Sequence, residues 1–287
     1  MIETMIYGCT IGAILYLFSI GLSLTFGAMH IINFAHGMVY ALGVYLFISL
    51  WSALNLFVPG MVLAILAMAP VAWMIERFVI RRLYGASLDY AMIATYALLL
   101  IGTDLIKLVW GGTPYPVSDP IGITLNVFQM TIPVYRLVIV GTAIVLFLGL
   151  RMFFARSIVG RIVVAALEDP EGVRCLGLDI YRYFSIVFVL GSCLAVLGGV
   201  LYAPVSTAEP YMGFRILLLA FSVVIVGGMG NFTGTFVAAF ILGLVIAITG
   251  RYYSAAAEAM VFVVMALVLL KDTIFHGVRK MLRMRAV

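Results

Sequence analysis

The chain has 287 residues, of which 65% are hydrophobic and only 10% are charged, and its formal net charge is +5 at pH 7. Soluble domains carry roughly 45–50% apolar and about 25% charged residues, so this composition excludes an ordinary soluble protein. The positive charge does not indicate nucleic-acid binding, because the basic residues stand in short segments between apolar runs and are not interleaved with aromatic residues. Cys9, Cys175 and Cys193 lack metal-ligand spacing, and we expect small buried thiols and no disulfide.

Nine apolar stretches follow one another along the chain, and most are long enough to cross a hydrocarbon core of about 30 Å as a helix. They predict an all-α, polytopic transmembrane bundle of about eight or nine membrane segments, forming one domain over residues 1–287. No Lys or Arg precedes the first stretch, so it lacks the basic region of a cleaved signal peptide and is expected to stay as the first span. The stretches cover residues 4–26, 37–54, 59–76, 90–110, 132–152, 184–204, 214–229, 233–250 and 255–270.

The distribution of basic residues predicts the orientation, because Lys and Arg are retained on the cytoplasmic side of a membrane. Of the 17 basic residues, 13 fall into three clusters, whereas residues 111–131 contain none. We therefore expect the clusters and the C-terminus to be cytoplasmic, and residues 111–131 and the N-terminus to lie outside. The clusters are Arg77, Arg81 and Arg82; Arg151, Arg156, Arg161, Arg174 and Arg182; and Lys271, Arg279, Lys280, Arg283 and Arg285.

Two glycine-containing breaks interrupt the apolar pattern, at residues 27–37 and 227–231. Residues 214–250 would form a helix of about 55 Å, too long for one crossing, so we expect the chain to enter the membrane and return there. Irregular backbone at membrane depth needs protein or a water-filled cavity around it. One interpretation places the breaks at a transport path or its gate, and the other makes them ordinary turns whose polar residues cap helix ends. The residues concerned are Asn33, His36, Gly37, Gly228, Gly230, Asn231 and Thr233.

Few other ionisable residues lie within the apolar stretches. Asp104 and Lys107 stand three residues apart near the outer end of the fourth stretch and share a helix face. We expect a structural ion pair at the outer interface, with a contact to substrate as the alternative. His30 and His36 have no carboxylate or cysteine companion nearby, so they do not predict a metal site.

The segment at residues 153–182 is longer and more patterned than a simple connection between two membrane helices requires. It holds an Ala-rich apolar stretch, an acidic pair and a glycine, which predict a short amphipathic helical hairpin on the membrane surface. Its apolar side indicates docking of a partner, with a plain solvated loop as the alternative. Both Ala165 and Ala166 are expected to pack against that partner, and the acidic pair to meet basic residues at the rim of the contact. The predicted contact residues are Gly160, Arg161, Ala165, Ala166, Glu168, Asp169 and Gly177.

Signatures of catalysis are absent from the sequence. None of the lysines follows a glycine, so there is no GxxxxGK[ST] phosphate loop, and neither HExxH nor GxSxG occurs. The chain is therefore expected to be a non-catalytic membrane subunit that binds no cofactor. If ATP drives its activity, ATP and Mg²⁺ must be bound by another subunit.

Three groups of residues resemble the branched-chain amino-acid ABC permeases. The first group is GLSLTFGAM at residues 21–29, followed by INFAHG at 32–37 and ALGVY at 41–45. The segment predicted to dock a partner is similar to the coupling segment of that family, and GGMGN at residues 227–231 is similar to its late glycine-rich break. One departure is PEGV at residues 170–173, where the family more often continues a helix with an alanine at the last position.

The resemblance implies an importer permease with a type II-like fold in the bacterial inner membrane, in contact with lipid. It implies a heterodimer with a second, homologous permease, two cytoplasmic ATPase subunits on the coupling segment, and a periplasmic binding protein that delivers the solute. That solute would be a branched-chain or related amino acid, although the family also includes transporters of urea and aromatic acids. The alternative function is an ion-coupled secondary carrier or channel, against which stands the lack of an acidic residue plainly at mid-bilayer.

Overall fold

The computed structural model describes residues 1–29, 31–127 and 130–284, and their side chains except at residues 127, 130, 167 and 272–284. His30 and Arg285, which were named above, lie outside the described residues. Helices account for most of the described chain. The long ones are α1 (Ile2–Met29), α2 (Ala35–Leu54), α3 (Phe57–Phe78), α4 (Leu88–Trp110), α5 (Val134–Arg156), α8 (Ile180–Tyr202), α9 (Met212–Gly227), α10 (Phe232–Tyr252) and α11 (Ala259–Met284), and the short ones are α6 (Ile158–Glu168) and α7 (Pro170–Cys175).

Each predicted apolar stretch overlaps one long helix, so the all-α bundle is confirmed. Within the described residues, seven helices are long and apolar enough to cross a membrane, while the apolar parts of α9 and α11 are shorter. The predicted break at residues 227–231 is present, since α9 ends at Gly227 and α10 begins at Phe232. Sequence patterns did not indicate the antiparallel hairpin of β1 (Thr124–Val127) and β2 (Met130–Pro133). Its strands are too short for an alternating pattern to stand out.

The helices give the bundle two ends, which we call the hairpin end and the basic end. The hairpin end carries β1 and β2, and the basic end carries α6, α7 and the arginines at residues 77–82. The chain begins at the hairpin end, because the guanidinium of Arg136 in the first turn of α5 lies 4.9 Å from the ring centre of Tyr7. Residues 111–127 also lie there, since Tyr115 pairs with Ala208 in the connection that follows α8. The basic-residue clusters at residues 77–82 and 151–182 are therefore opposite to residues 111–127, as the charge pattern predicts.

Three helices, α1, α2 and α8, form the centre of the bundle. Residues 13–18 of α1 are each at most 2% exposed, so no face of this helix is left for lipid. Small residues let membrane helices approach closely, and a Cβ on Gly191 of α8 would lie 2.9 Å from the Cα of Gly21 in α1. The cysteines are free thiols; Cys9 and Cys193 are half-buried, and the expectation of burial is wrong for the exposed Cys175 at the end of α7.

Candidate functional site

The helix α2 begins at mid-depth in the bundle. His36, its second residue, is fully buried, and its Nε2 lies 3.2 Å from the carbonyl oxygen of Phe18, so this nitrogen carries the proton and donates. A Cβ on Gly21 would lie 2.8 Å from the His36 ring and would also meet the backbone of Gly191, which is the central residue of α8. Residues 31–34 therefore lead to a helix start inside the bundle.

The helix α9 begins at the same depth. A Cβ on Gly37 of α2 would lie 2.7 Å from the carbonyl oxygen of Gly213, the second residue of α9, and a Cβ on Gly213 would meet Gly37 in turn. The same position on Gly37 is 3.3 Å from Leu99, the central residue of α4. The first turns of α2 and α9 thus meet in the middle of the bundle, where only glycine permits this separation of the two backbones. We call this contact the mid-depth junction.

Asn33 and His36 place polar atoms beside the mid-depth junction. Asn33 is 1% exposed, and neither its Nδ2 nor its Oδ1 has a hydrogen-bond partner among the residues that the structure describes. The Nδ1 of His36 is buried and unpartnered in the same sense. Buried polar side-chain atoms in proteins are usually hydrogen-bonded, so these atoms are available to a water molecule, to a solute or to a partner in another conformation.

Charged residues are exposed on one side of the bundle, which we call the α4–α9 face and define by Asp104, Lys107, Glu209, Tyr211 and Arg215. The ammonium of Lys107 is 3.0 Å from an Asp104 carboxylate oxygen and donates to the Tyr211 hydroxyl at 2.7 Å. The ion pair expected from the sequence is confirmed. A second pair joins Arg215 to Glu209 at 2.7 Å, and Arg215 lies only two residues beyond Gly213. Charge therefore reaches down this face to the mid-depth junction.

An aromatic row continues along the α4–α9 face. Phe214 stands edge-on to Tyr96 at 5.8 Å between ring centres, and Tyr96 is in turn edge-on to Phe34 at 5.8 Å. Phe34 then lies 5.4 Å from Phe221, two helical turns further along α9. Phe34 is the residue before α2, so the row joins three helices and passes directly from the mid-depth junction toward the basic end.

The second predicted break lies at the basic end, apart from the mid-depth junction. Gly228 and Gly230 both have positive φ angles, 87° and 77°, which explains why glycines occur there. The amide of Gly230 donates to the Ser23 hydroxyl at 3.1 Å, which ties the break to α1. Asn231 caps α10 by accepting from the amide of Gly234 at 3.0 Å. The structure thus brings Asn33, His36 and Gly37 together. It places Gly230, Asn231 and Thr233 beside the end of α5, and Gly228 in the turn between α9 and α10.

The predicted helical hairpin at the basic end is α6 followed by α7. Ser157 caps α6 by accepting from the amide of Gly160, and Asp169 caps α7 by accepting from the amide of Gly172, both at 2.9 Å. Pro170 takes the first position of α7, where its missing N–H costs nothing. Gly177 follows α7 with φ of 77°, as the sequence predicts for a helix end.

One expectation about the hairpin is wrong. Ala166 is 1% exposed and faces its own chain, whereas Ala165 is exposed. Of the two alanines, only Ala165 is therefore accessible to a partner. Asp169 accepts from the amide of Gly172 as the cap of α7, and its carboxylate is exposed together with Glu168 and Arg161.

The free side of the hairpin is an apolar groove of about 310 Å³. Ile158 at its start is 70% exposed and Leu176 at its end is 77% exposed, although both are aliphatic. Exposed apolar surface rimmed by charge is typical of a protein-binding site. We call it the hairpin groove, and its lining residues are Ile158, Arg161, Ile162, Ala165, Val173, Leu176 and Leu178.

A buried carboxylate that the sequence analysis did not single out connects this hairpin to the bundle. Glu76 of α3 has no solvent exposure; it accepts from Arg81 at 3.2 and 3.3 Å, from the Ser185 hydroxyl of α8 at 2.6 Å and from the Tyr84 hydroxyl at 2.9 Å. Burial, and then the nearby carboxylate, raise the pKa of Tyr84, so the phenol keeps the proton that it donates. The five-residue spacing of Glu76 and Arg81 matches no standard helical pair, which is why the pattern gave no signal.

Tyr181 connects the residues around Glu76 to α7. Its ring stacks on Tyr84 with 5.7 Å between centres, and its hydroxyl accepts from Arg174 of α7 at 3.1 Å. The chain of contacts therefore runs from the hairpin at the basic end to α3 and α8 in the bundle.

The family described as branched-chain amino acid transport system, permease component, matches residues 4–270. The chain belongs to this family. The resemblance stated from the motifs is confirmed, and the permease is a multi-pass membrane component of a transport system.

Several named transport proteins are similar in sequence to this permease along most of its length. The high-affinity branched-chain amino acid transport system permease protein LivH of Escherichia coli K12 is 28% identical over 286 residues, covering 94% of this chain and 92% of the relative. BraD of Pseudomonas aeruginosa, also named as a high-affinity branched-chain amino acid permease protein, is 28% identical and covers 85% and 84% of the two chains. A probable LivH of Methanocaldococcus jannaschii is 26% identical, with 88% and 84% covered.

Metal ligation finds no support in the part of the permease that the structure describes, where no three His, Cys, Asp or Glu side chains come together. His36 is held by a backbone carbonyl, and His30 lies outside the described residues.

Proposed function

We propose that this permease is one membrane subunit of an ATP-driven importer and forms part of the translocation path for branched-chain or related amino acids. The observation that carries the proposal is the hairpin groove, an exposed apolar surface on a structured element that connects through Tyr181 and Glu76 to the bundle. An ATP-driven transporter whose membrane chain has no phosphate loop must receive work from a partner subunit. The groove is the surface through which two ATPase subunits, holding ATP and Mg²⁺, would act on the transporter.

The translocation path in this proposal runs along the α4–α9 face. The side chain of Asp104 is 74% exposed and that of Arg215 is 59% exposed. Charges within membrane segments face water or protein in preference to lipid, so a second, homologous permease would supply the other wall. An amino acid carries one positive and one negative group, and the Arg215–Glu209 pair offers a partner for each. The start of α9 adds the positive end of a helix dipole for the carboxylate.

The gate in this proposal is the mid-depth junction with the aromatic row beneath it. Asn33 and His36 hold unpartnered polar atoms next to the place where α2 and α9 touch at Gly37. Phe34 and its aromatic neighbours close the way toward the basic end with apolar surface. Gly228, Gly230, Asn231 and Thr233 form the turn on which α9 moves relative to α10 at the cytoplasmic end.

In this proposal the permease lies in the bacterial inner membrane. Its basic end faces the cytoplasm, and its N-terminus and hairpin end face the outside. A periplasmic binding protein would then deliver the solute at the hairpin end. The positive-inside pattern supports this arrangement. A chain in the opposite orientation could not meet a cytoplasmic ATPase through α6 and α7.

Labelling of single cysteines tests the orientation. In a permease without Cys9, Cys175 and Cys193, we expect Ser118→Cys to react with an impermeant maleimide only from outside, because Ser118 is exposed at the hairpin end. Leu176→Cys should react only from the cytoplasmic side. Protection of Ser118→Cys in intact cells together with its reaction in inverted vesicles would show that the orientation is reversed.

Substitution in the hairpin groove tests the coupling. Ala165→Trp is expected to fill the groove and reduce co-purification of the ATPase subunits by about fivefold to a hundredfold, because overpacking a contact costs roughly 1–3 kcal/mol. Substrate-stimulated ATP hydrolysis in liposomes should fall in parallel. Ala86→Trp is the matched control, since Ala86 is also exposed at the basic end but does not line the groove.

The two variants give a clear decision. Normal complex yield and hydrolysis with Ala165→Trp, together with their loss in Ala86→Trp, would move the ATPase contact to residues 77–89. Solute uptake by the permease without any ATPase would contradict the proposed function itself and support an ion-coupled carrier.

A further inference from the structure

A groove of about 750 Å³ lies between α3 and α8 on the outside of the bundle, beginning at the basic end. Three arginines line its start, Arg77 and Arg81 from α3 and the turn after it, and Arg182 from α8. Its deeper part is apolar and includes Trp73, which is 48% exposed, and Ile186, which is 39% exposed. This α3–α8 groove shares none of its lining residues with the hairpin groove.

The charge at the mouth of the groove is unbalanced. Arg81 is held by Glu76, but neither Arg77 nor Arg182 forms an ion pair with any residue that the structure describes. Asp179 is the remaining acid in the lining, and its carboxylate accepts from the amide of Tyr181 as the cap of α8. The mouth therefore offers two free guanidiniums, which bind phosphate with well-defined geometry.

The apolar part continues along α8 to the opposite end. Ile186, Leu190 and Cys193 line the groove, and Leu197 and Leu201, on the same face of α8, line a second apolar pocket of about 420 Å³ with Phe57 and Tyr135. Residues four apart on a helix share a face, so this strip is continuous. Its chemical order is cationic at the basic end and apolar from there across the depth of the bundle.

We propose that the α3–α8 groove binds one anionic phospholipid, with its phosphate on Arg77 and Arg182 at the basic end and an acyl chain against Trp73 and Ile186. Charge complementarity selects the headgroup, since basic residues at a membrane surface attract anionic lipid. The apolar strip below the arginines suits a molecule with a long chain, which free phosphate lacks. The site does not depend on which solute the permease carries or on the proposed ATPase contact.

Trp73 is a built-in reporter of this site. The other tryptophans, Trp51 and Trp110, lie toward the hairpin end, where Trp110 donates to Ser49 at the far part of α2. The transporter complex is reconstituted with brominated phosphatidylglycerol or brominated phosphatidylcholine, over the same series of mole fractions for each lipid. The difference in quenching between the wild type and Trp73→Phe isolates the Trp73 contribution. We expect half-maximal Trp73 quenching at an about tenfold lower fraction of the anionic lipid, from two arginines near the surface.

The matched variants decide the result. Arg77→Gln with Arg182→Gln should abolish the preference for anionic lipid, whereas Arg82→Gln with Arg156→Gln should keep it, because both control arginines are exposed at the basic end outside the groove. Equal quenching by the two lipids would overturn the proposal. Weak quenching of Trp73 by either lipid would show that another protein segment covers the groove. Loss of the preference on adding millimolar inorganic phosphate at constant ionic strength would assign the arginines to a free anion instead.

Discussion

Replacing Gly37 by leucine is expected to reduce solute uptake at least about a hundredfold, because a side chain there would have to push α2 and α9 apart by an amount that costs roughly 3 kcal/mol or more. The added Cβ alone would lie 2.7 Å from the carbonyl oxygen of Gly213, a backbone atom that cannot move aside as a side chain can. Gly37→Ala should therefore be harmful as well, but less so than leucine. Uptake is measured with radiolabelled leucine in proteoliposomes that contain the complete transporter.

The control for this change is Gly149→Leu in α5. Gly149 is also a glycine within a long helix, but a Cβ there would meet nothing within 4 Å. We expect near-normal uptake, since the new side chain projects into open space at the periphery. Equal uptake by the Gly37 and Gly149 variants, at equal protein yield, would mean that the mid-depth junction is not a tight contact in the working transporter.

Replacing Glu76 by alanine is expected to destabilise the permease by about 3 kcal/mol, because removing one partner of a buried ion pair leaves the other partner uncompensated. This loss of stability is at the lower end of the range of about 3–5 kcal/mol for buried ion pairs, since the side chain of Arg81 is 23% exposed and can reach water. Glu76→Gln should cost less than alanine, because an amide still accepts a hydrogen bond from Tyr84 or Ser185. The measurement is the free energy of unfolding in mixed detergent micelles.

Asp104→Ala serves as the comparison for Glu76. It breaks an ion pair of similar length, 3.0 Å, but the Asp104 side chain is 74% exposed. Exposed pairs contribute about 0–1 kcal/mol, so we expect little loss of stability. A similar small effect of both substitutions would contradict the role given to the network around Glu76.

Much of the fold could be predicted because membrane helices are specified locally. A run of about 20 apolar residues is a sufficient signal, and glycines with Asn231 marked the end of α9 correctly. The hairpin of α6 and α7 was likewise marked by its own residues. The sequence did not show which of Ala165 and Ala166 is buried, because the buried side of a short helix depends on what packs beneath it.

Depth and distant pairing could not be predicted in the same way. The start of α2 at mid-depth depends on the contact of Gly37 with Gly213, and these residues are far apart in sequence. Glu76 gains its partner Ser185 across 109 residues. No local pattern encodes such pairs, so a carboxylate in an apolar helix remained unexplained until the helices were seen together.

The short length of α9 has a consequence for the permeability barrier. Its 16 residues rise about 24 Å, and they start at the middle of the bundle rather than at the hairpin end. On the proposed path, the outer half therefore lies at a higher dielectric, lined by charged groups, and the insulating layer is confined to the inner half. A solute loses its hydration over a distance much shorter than the bilayer thickness. A small displacement of one thin layer is then enough to change which compartment has access.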